Sequence, residues 1–276
     1  MIQRSLFFIC IYVPVMLIGI PVHWLMTRFG RYSPFLPHLF HRMGCIFLGM
    51  RVTVLGTPST GRPTLLLSNH VSWTDIIAVG SVADVTFVAK SEIKTWFFVG
   101  FMASLQRTLY VDRKRRSDAH RASKEMGERM ASGGAVVLFA EGQSDVGTHV
   151  LPFRSALIGA AQHAMQDAGA GEVMVQPLTI AYTKLQGLPV GRTDRSFIAW
   201  IKSKSVKQNI IEILTGGTRE VTLAFGTPRL LDADSDRKQV AREAETEVRR
   251  MLVALNRGLP LPGTSPQKPA AQTETA

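Results

Sequence analysis

The chain has 276 residues, enough for one sizeable domain with an appendage. Its formal charge of +11 calls for an anionic partner: a membrane surface, a nucleic acid or an acidic carrier. The two cysteines, Cys10 and Cys45, both lie in apolar segments, which argues against a cysteine-spaced metal site and against a structural disulfide.

The first predicted element is apolar. Leu6 to Met26 contains no Asp, Glu, Lys or Arg. As a helix it would reach roughly 30 Å, the thickness of a bilayer core. Arg4 precedes it, but no small-x-small cleavage site follows, and His23, Trp24 and Arg28 sit at an interface-like position. A retained anchor is therefore expected. Pro14 and Pro21 leave open a kinked helix that dips in and returns. Pro37 to Met50, carrying His38, His41 and Arg42, is too short to span and reads as an interfacial helix. The excess of arginines after the first segment (Arg28, Arg31, Arg42 and Arg51, against Arg4 before it) places the main domain in the cytoplasm.

From Arg51 short strands alternate with helices. Strands are expected at 51–56, 64–68, 84–89, 108–111, 135–140, 173–182 and 220–225. Helices are expected from Trp73, over 117–132, 155–165 and 236–255, with small helices in 90–104. This alternation predicts an α/β domain whose mostly parallel sheet is flanked by helices, behind an N-terminal membrane-associated helical segment. The boundaries are 1–50 for the anchor and interfacial helix, 51–257 for the α/β domain and 258–276 for a disordered tail rich in Pro, Ala, Thr and Gln.

The chemistry gathers where two buried strands end. After Leu65-Leu66-Leu67 come Ser68-Asn69-His70-Val71-Ser72-Trp73-Thr74-Asp75. In one straight helix His70 and Asp75 would diverge by roughly 140°. They meet only if His70 precedes the helix and the chain turns between them. Asp75 would then orient the imidazole and leave its other nitrogen free to take a proton from an alcohol. A capped helix start, with Asn69, Ser72 or Asp75 as cap, explains the same residues without chemistry. The second cluster is Tyr110-Val111-Asp112-Arg113-Lys114-Arg115-Arg116, whose cations suit a phosphate or carboxylate or simply form a solvated face. The third is Phe139-Ala140-Glu141-Gly142-Gln143-Ser144-Asp145, again after a buried strand, where open α/β sheets bind ligands. Trp96, Phe97, Phe98 and Phe101 could line an apolar groove, face the membrane or pack in the core.

These clusters resemble the motifs of the glycerolipid acyltransferases, whose bacterial members include lysophosphatidate acyltransferases. Asn69-His70-x-Ser72-x-x-Asp75 is similar to the first motif, Arg113 to the residue closing the second, Glu141-Gly142 to the third, and Gln176-Pro177-Leu178 to the fourth. Pro152-Phe153-Arg154 matches the family's Phe and basic residue opening the next helix. Ala140 and Gln143 stand where the family often has Pro and Thr, and no Gly precedes Arg113 where the family often has one. The resemblance implies a membrane-bound O-acyltransferase with His70 as general base and Asp75 orienting it. Asn69, Ser72, Arg113, Glu141 and Gly142 would bind the acceptor, Glu141 either on its head or holding Arg113, and Pro177 would line the acyl pocket. Backbone N–H groups of the His70 turn would stabilise the oxyanion. No cofactor and no metal are implied. The donor would be acyl carrier protein or acyl-CoA, the acceptor a lysolipid. Lysophosphatidate, yielding phosphatidate, comes first. Gly187 to Arg192 and Phe197 to Trp200 also resemble relatives from alphaproteobacteria, some of which are similar to lyso-ornithine lipid acyltransferases, whose acceptor hydroxyl belongs to a 3-hydroxy fatty acid.

Other chemistry fits less well. Gly142-Gln143-Ser144-Asp145-Val146-Gly147 misses the nucleophile elbow by one residue. A metal site from His70, Asp75, Glu141 and His149 lacks any local two-His spacing. Nucleic-acid binding explains the charge but not the membrane segment. A non-catalytic lipid-binding module explains both, but not the paired His and Asp.

Overall fold

The computed structural model describes residues 2–59, 61–111, 116–167, 172–232 and 234–261. Arg113 and the rest of 112–115, and the tail beyond 261, lie outside them.

The apolar N-terminus forms one continuous helical run: α1 (Ile2–Phe7), a π turn (Phe8–Tyr12) and α2 (Val13–Arg28). The π turn loosens the ladder just ahead of Pro14, which has no N–H to offer it. Gln3–Arg28 is long and apolar enough to cross a membrane, with a mean hydropathy of 2.4, and almost none of it is buried. It packs by one side on α3 (Phe35–Leu48), where Phe8 stacks on Phe47 with centroids 4.1 Å apart. Gly49, in the left-handed region at φ 66°, ends α3 and turns the chain into the sheet.

The strands are β1 (Met50–Leu55), β2 (Thr64–Ser68), β3 (Val85–Lys90), β4 (Leu109–Val111), β5 (Ala135–Phe139), β6 (Val173–Leu185), β7 (Leu188–Pro189), β8 (Arg219–Phe225) and β9 (Arg229–Leu231). The sheet runs β1-β8-β6-β2-β5-β3-β4. β2 pairs in parallel with β5 and β6, β5 with β3, β3 with β4, and β1 with β8. Every antiparallel pairing among the described residues involves β6, which meets β7, β8 and β9. The sheet is mostly parallel and flanked by helices, as the alternation of elements predicts.

The helices of the domain are α4 (Thr74–Gly80), α5 (Phe97–Leu105), α6 (Arg116–Ala131), α7 (Ser155–Asp167), α8 (Arg195–Ile198), α9 (Val206–Thr215) and α10 (Arg237–Asn256). Every residue of β2 is buried, and its leucines divide between two cores. Leu65 and Leu67 join α6, α7 and α10 through Met130, Ile158 and Val248. Leu66 joins α3, α4 and α9 through Leu48, Val79 and Ile213. α8 and α9, which the strand–helix alternation does not predict, fill the second layer. α9 begins at Ser205, whose hydroxyl accepts from the Gln208 N–H.

The long strand β6 is made possible by Pro177. Residues 173–175 pair with β9 and residues 178–185 with β8. Pro177 sits at the changeover, where its missing N–H leaves no ladder bond unmade. A Pro within a strand ordinarily marks an edge or a bulge. Here it lies inside the sheet, at a gap between two partners.

Candidate active site

Two parallel neighbours, β2 and β5, end side by side, and their C-terminal turns build the site. The β2 turn places His70 before α4 and Asp75 at its second residue. The His70 Nδ1 lies 2.8 Å from Asp75 Oδ2, so the five-residue spacing closes as the turn requires. Asp75 is fully buried, whereas the His70 side chain is 16% exposed. An ionised carboxylate can only accept, so Nδ1 carries the ring proton and Nε2 is left as the free base.

Asp75 is held by four donors. Its Oδ2 also accepts from the Val71 N–H at 2.6 Å and the Ser72 N–H at 3.0 Å, and its Oδ1 from the Tyr182 hydroxyl at 2.7 Å. These bonds compensate for burying the charge. They also alter one expectation: Val71 and Ser72 point their N–H groups at Asp75, not at an oxyanion. The ring of His70 lies on Phe139, the last residue of β5, with centroids 4.0 Å apart and planes 19° from parallel. Phe139 thus fixes the imidazole plane while Asp75 fixes its rotation.

Glu141 follows at the end of β5, buried at 2% exposure. Its Oε2 accepts from the His70 N–H at 2.7 Å and its Oε1 from the Leu151 N–H at 2.7 Å. The carboxylate therefore braces the His70 turn against the 151 loop. Both of its oxygens accept from backbone N–H groups. Burial pushes its pKa up to about 8, against the two N–H bonds that favour the charged form.

Asn69 is buried with both ends of its amide bonded to Ile180, donating to its carbonyl at 3.0 Å and accepting from its N–H at 2.8 Å. It acts as an extra rung between the end of β2 and β6. Ser72 is buried too, and its Oγ has no partner among the described residues. Gly142 has φ 71°, and a Cβ there would meet Arg154 Nε at 2.8 Å. The guanidinium of Arg154 therefore lies across Gly142, exposed and without a carboxylate partner among the described residues. Pro177 pairs with Leu67 inside the sheet and is not brought to His70. Arg113 lies outside the described residues, so its relation to the site is not seen.

The loop into α9 closes the other side. The Trp200 N–H donates to the Val71 carbonyl at 3.0 Å, the Trp73 Nε1 to Asn209 Oδ1 at 3.0 Å, and the Asp145 N–H to the His70 carbonyl at 2.9 Å. Trp96 and Trp200 lie with ring centroids 6.2 Å apart, an apolar wall beside the turn. Tyr182 carries no local motif, and only strand register places it at Asp75. Phe139 and Trp200 lie in segments the sequence singles out, but only the fold sets them against the His70 turn. Among the described residues no group of three His, Cys, Asp or Glu could hold a metal ion.

The chain is similar to known proteins over this region. The sequence model of the acyltransferase family matches residues 50–181, which span β1 to β6 and both turns. A lyso-ornithine lipid O-acyltransferase of Brucella abortus is 41% identical over 227 residues, covering 82% of this chain and 85% of its own length. A 1-acyl-sn-glycerol-3-phosphate acyltransferase of Neisseria gonorrhoeae is 35% identical over 130 residues, covering 46% of this chain and 48% of its own. The crystal structure of the 1-acyl-sn-glycerophosphate acyltransferase PlsC of Thermotoga maritima superposes with a TM-score of 0.63 at 21% identity, over 92% of this chain and 95% of that one.

Proposed function

The chain belongs to the acyltransferase family, and from that premise we propose that it acylates the free hydroxyl of lyso-ornithine lipid. The observation that carries the reaction type is the buried Asp75 holding His70 at 2.8 Å with the second ring nitrogen free. The acceptor is supported by the extent of likeness. The lyso-ornithine lipid relative matches over most of both chains, whereas the lysophosphatidate relative matches over less than half. Motif resemblance alone ranks lysophosphatidate first; this weighting reverses the order.

In this reading the acceptor hydroxyl lies at Nε2 of His70. His70 takes its proton as the oxygen attacks the thioester carbonyl of the donor. Asp75 stabilises the imidazolium. When the tetrahedral intermediate collapses, the C–S bond breaks and the imidazolium returns the proton to the departing thiolate. The new bond is an ester on the acceptor oxygen. The acyl chain would rest against Trp96 and Trp200. Arg154 and Arg113 are the cations suited to the anionic head, a carboxylate in ornithine and a phosphate in lysophosphatidate. Acyl carrier protein or acyl-CoA is the donor, and both are anionic partners for a chain of charge +11. The N-terminal helix and the arginines that follow it hold the domain on the cytoplasmic face of the inner membrane.

The test is acyl transfer by membranes carrying the protein, with labelled acyl carrier protein and acyl-CoA as donors and lyso-ornithine lipid and lysophosphatidate as competing acceptors. The expected product is labelled ornithine lipid. Labelled phosphatidate alone would reassign the acceptor and keep the mechanism. His70→Ala is expected to lose transfer by at least about 10³-fold while staying membrane-bound. Full activity in that variant would remove the general-base reading and leave a lipid-binding module.

A further inference from the structure

Tyr182 lies on β6, 107 residues from Asp75 in the chain, and is fully buried. Its Oη is 2.7 Å from Asp75 Oδ1 and 2.6 Å from Thr74 Oγ1. A phenol has one proton. An ionised carboxylate cannot supply one, so Tyr182 donates to Asp75 and Thr74 donates to Tyr182. The hydroxyls and the imidazole therefore form one directed chain: Thr74 O–H to Tyr182, Tyr182 O–H to Asp75 Oδ1, and His70 Nδ1–H to Asp75 Oδ2. Phenylalanine would bury the same ring without needing either partner. A hydroxyl in this place has work to do on Asp75.

We propose that Tyr182, supported by Thr74, is a positioning residue that sets the basicity of His70 through Asp75. This deepens the general-base reading and rests on it. Tyr182 is too deeply buried to meet substrate and acts only by drawing charge from the far oxygen of Asp75. With that donor in place, less negative charge faces His70, and the imidazolium gives up its proton more readily. Without it the charge concentrates toward His70 and the imidazolium becomes harder to deprotonate. Among the described residues, the other charged or titratable groups that face this chain are Arg219 on β8, Glu141 on the His70 N–H, and Asp145, whose own N–H meets the His70 carbonyl. Burial pushes Glu141 up to about 8, but neither substitution below touches it. A shift between wild type and variant therefore reports the Asp75–His70 pair.

The experiment is the pH profile of kcat/KM for the full-length protein in its membrane, as wild type, Tyr182→Phe and Thr74→Val. In Tyr182→Phe the acid limb is expected to move up by about half to one pH unit, with kcat at neutral pH down by roughly 3- to 10-fold and the acceptor KM within about twofold. In Thr74→Val, which keeps the phenol, the shift is expected in the same direction and smaller. A purely structural Tyr182 would lower the amount of active protein without moving the limb. An unmoved limb in folded, active Tyr182→Phe would overturn the proposal. If that variant does not fold, Thr74→Val decides alone, by a shifted or an unshifted limb. Activity surviving in His70→Ala would instead remove the mechanism on which the proposal stands.

Discussion

At the scale of single residues the site depends on two carboxylates, Asp75 and Glu141, whose oxygens all have assigned partners. Glu141 shows how far that goes. Its folded pKa of about 8 lies above the ordinary 4.5, because burial outweighs the two N–H bonds it accepts. Between those two values the folded protein binds a proton that the unfolded chain has released. Stability from this group is thus fully present below about 4.5 and is lost as pH rises through about 8. The wild-type Tm is expected to fall over that window, and Glu141→Gln to lack that part of the fall. The variant should also be less stable throughout, since one end of the amide is a donor and faces a backbone N–H. Parallel Tm-against-pH curves for the two proteins would contradict this. The pairing of His70 with Asp75 was legible in the sequence, because both lie on one turn and their spacing has only one way to close. The work of Glu141 was not. Its neighbours in sequence suggest a ligand, whereas its real partners, the N–H groups of His70 and Leu151, become visible only once two loops meet.

At the scale of elements, the strands carrying the motifs announce themselves by composition. β2 is Thr-Leu-Leu-Leu-Ser and β5 is Ala-Val-Val-Leu-Phe, short apolar runs bounded by polar turns, as fully buried parallel strands require. α8 and α9 do not announce themselves, because their burial depends on the His70 turn against which they close. The same limit hid the role of Asn69. In sequence it is one polar residue among several, but in the fold it replaces a missing backbone rung between β2 and β6. Asn69→Ala would leave both the N–H and the C=O of Ile180 buried and unpaired. The expected cost is roughly 2–5 kcal/mol, read by urea unfolding of the detergent-solubilised protein, with a matching loss of transfer as the His70 turn loosens. A ligand-binding Asn69 would behave differently, raising the acceptor KM while leaving the unfolding midpoint in place.

At the scale of the whole molecule, the N-terminal helix is the element whose function composition leaves most open. Apolar length admits both a span and a helix lying in the membrane plane. Contacts at its two ends separate them. Near its start, Arg4 donates to the Gly217 carbonyl, just after α9, at 3.3 Å. Near its finish, His23 Nε2 meets the Leu105 carbonyl, at the end of α5, at 3.0 Å. Those contacts are about 28 Å apart along the helix axis, close to the depth of a hydrocarbon core. Both are made to the same α/β domain. A helix that crossed the bilayer would have to release one of them, and the Phe8–Phe47 stack with it. The face turned away from α3 remains apolar, with Leu17 and Ile18 each 70% exposed. One face on protein and an apolar face left exposed suit an in-plane anchor. Single cysteines at Gln3 and Arg31, in a Cys10→Ser, Cys45→Ala background, make the distinction measurable with a membrane-impermeant thiol reagent. Both positions are expected to label from the same side, in inverted inner-membrane vesicles and not in intact spheroplasts. Labelling from opposite sides would establish a span, and would require the helix to leave α3 whenever the protein is in its membrane.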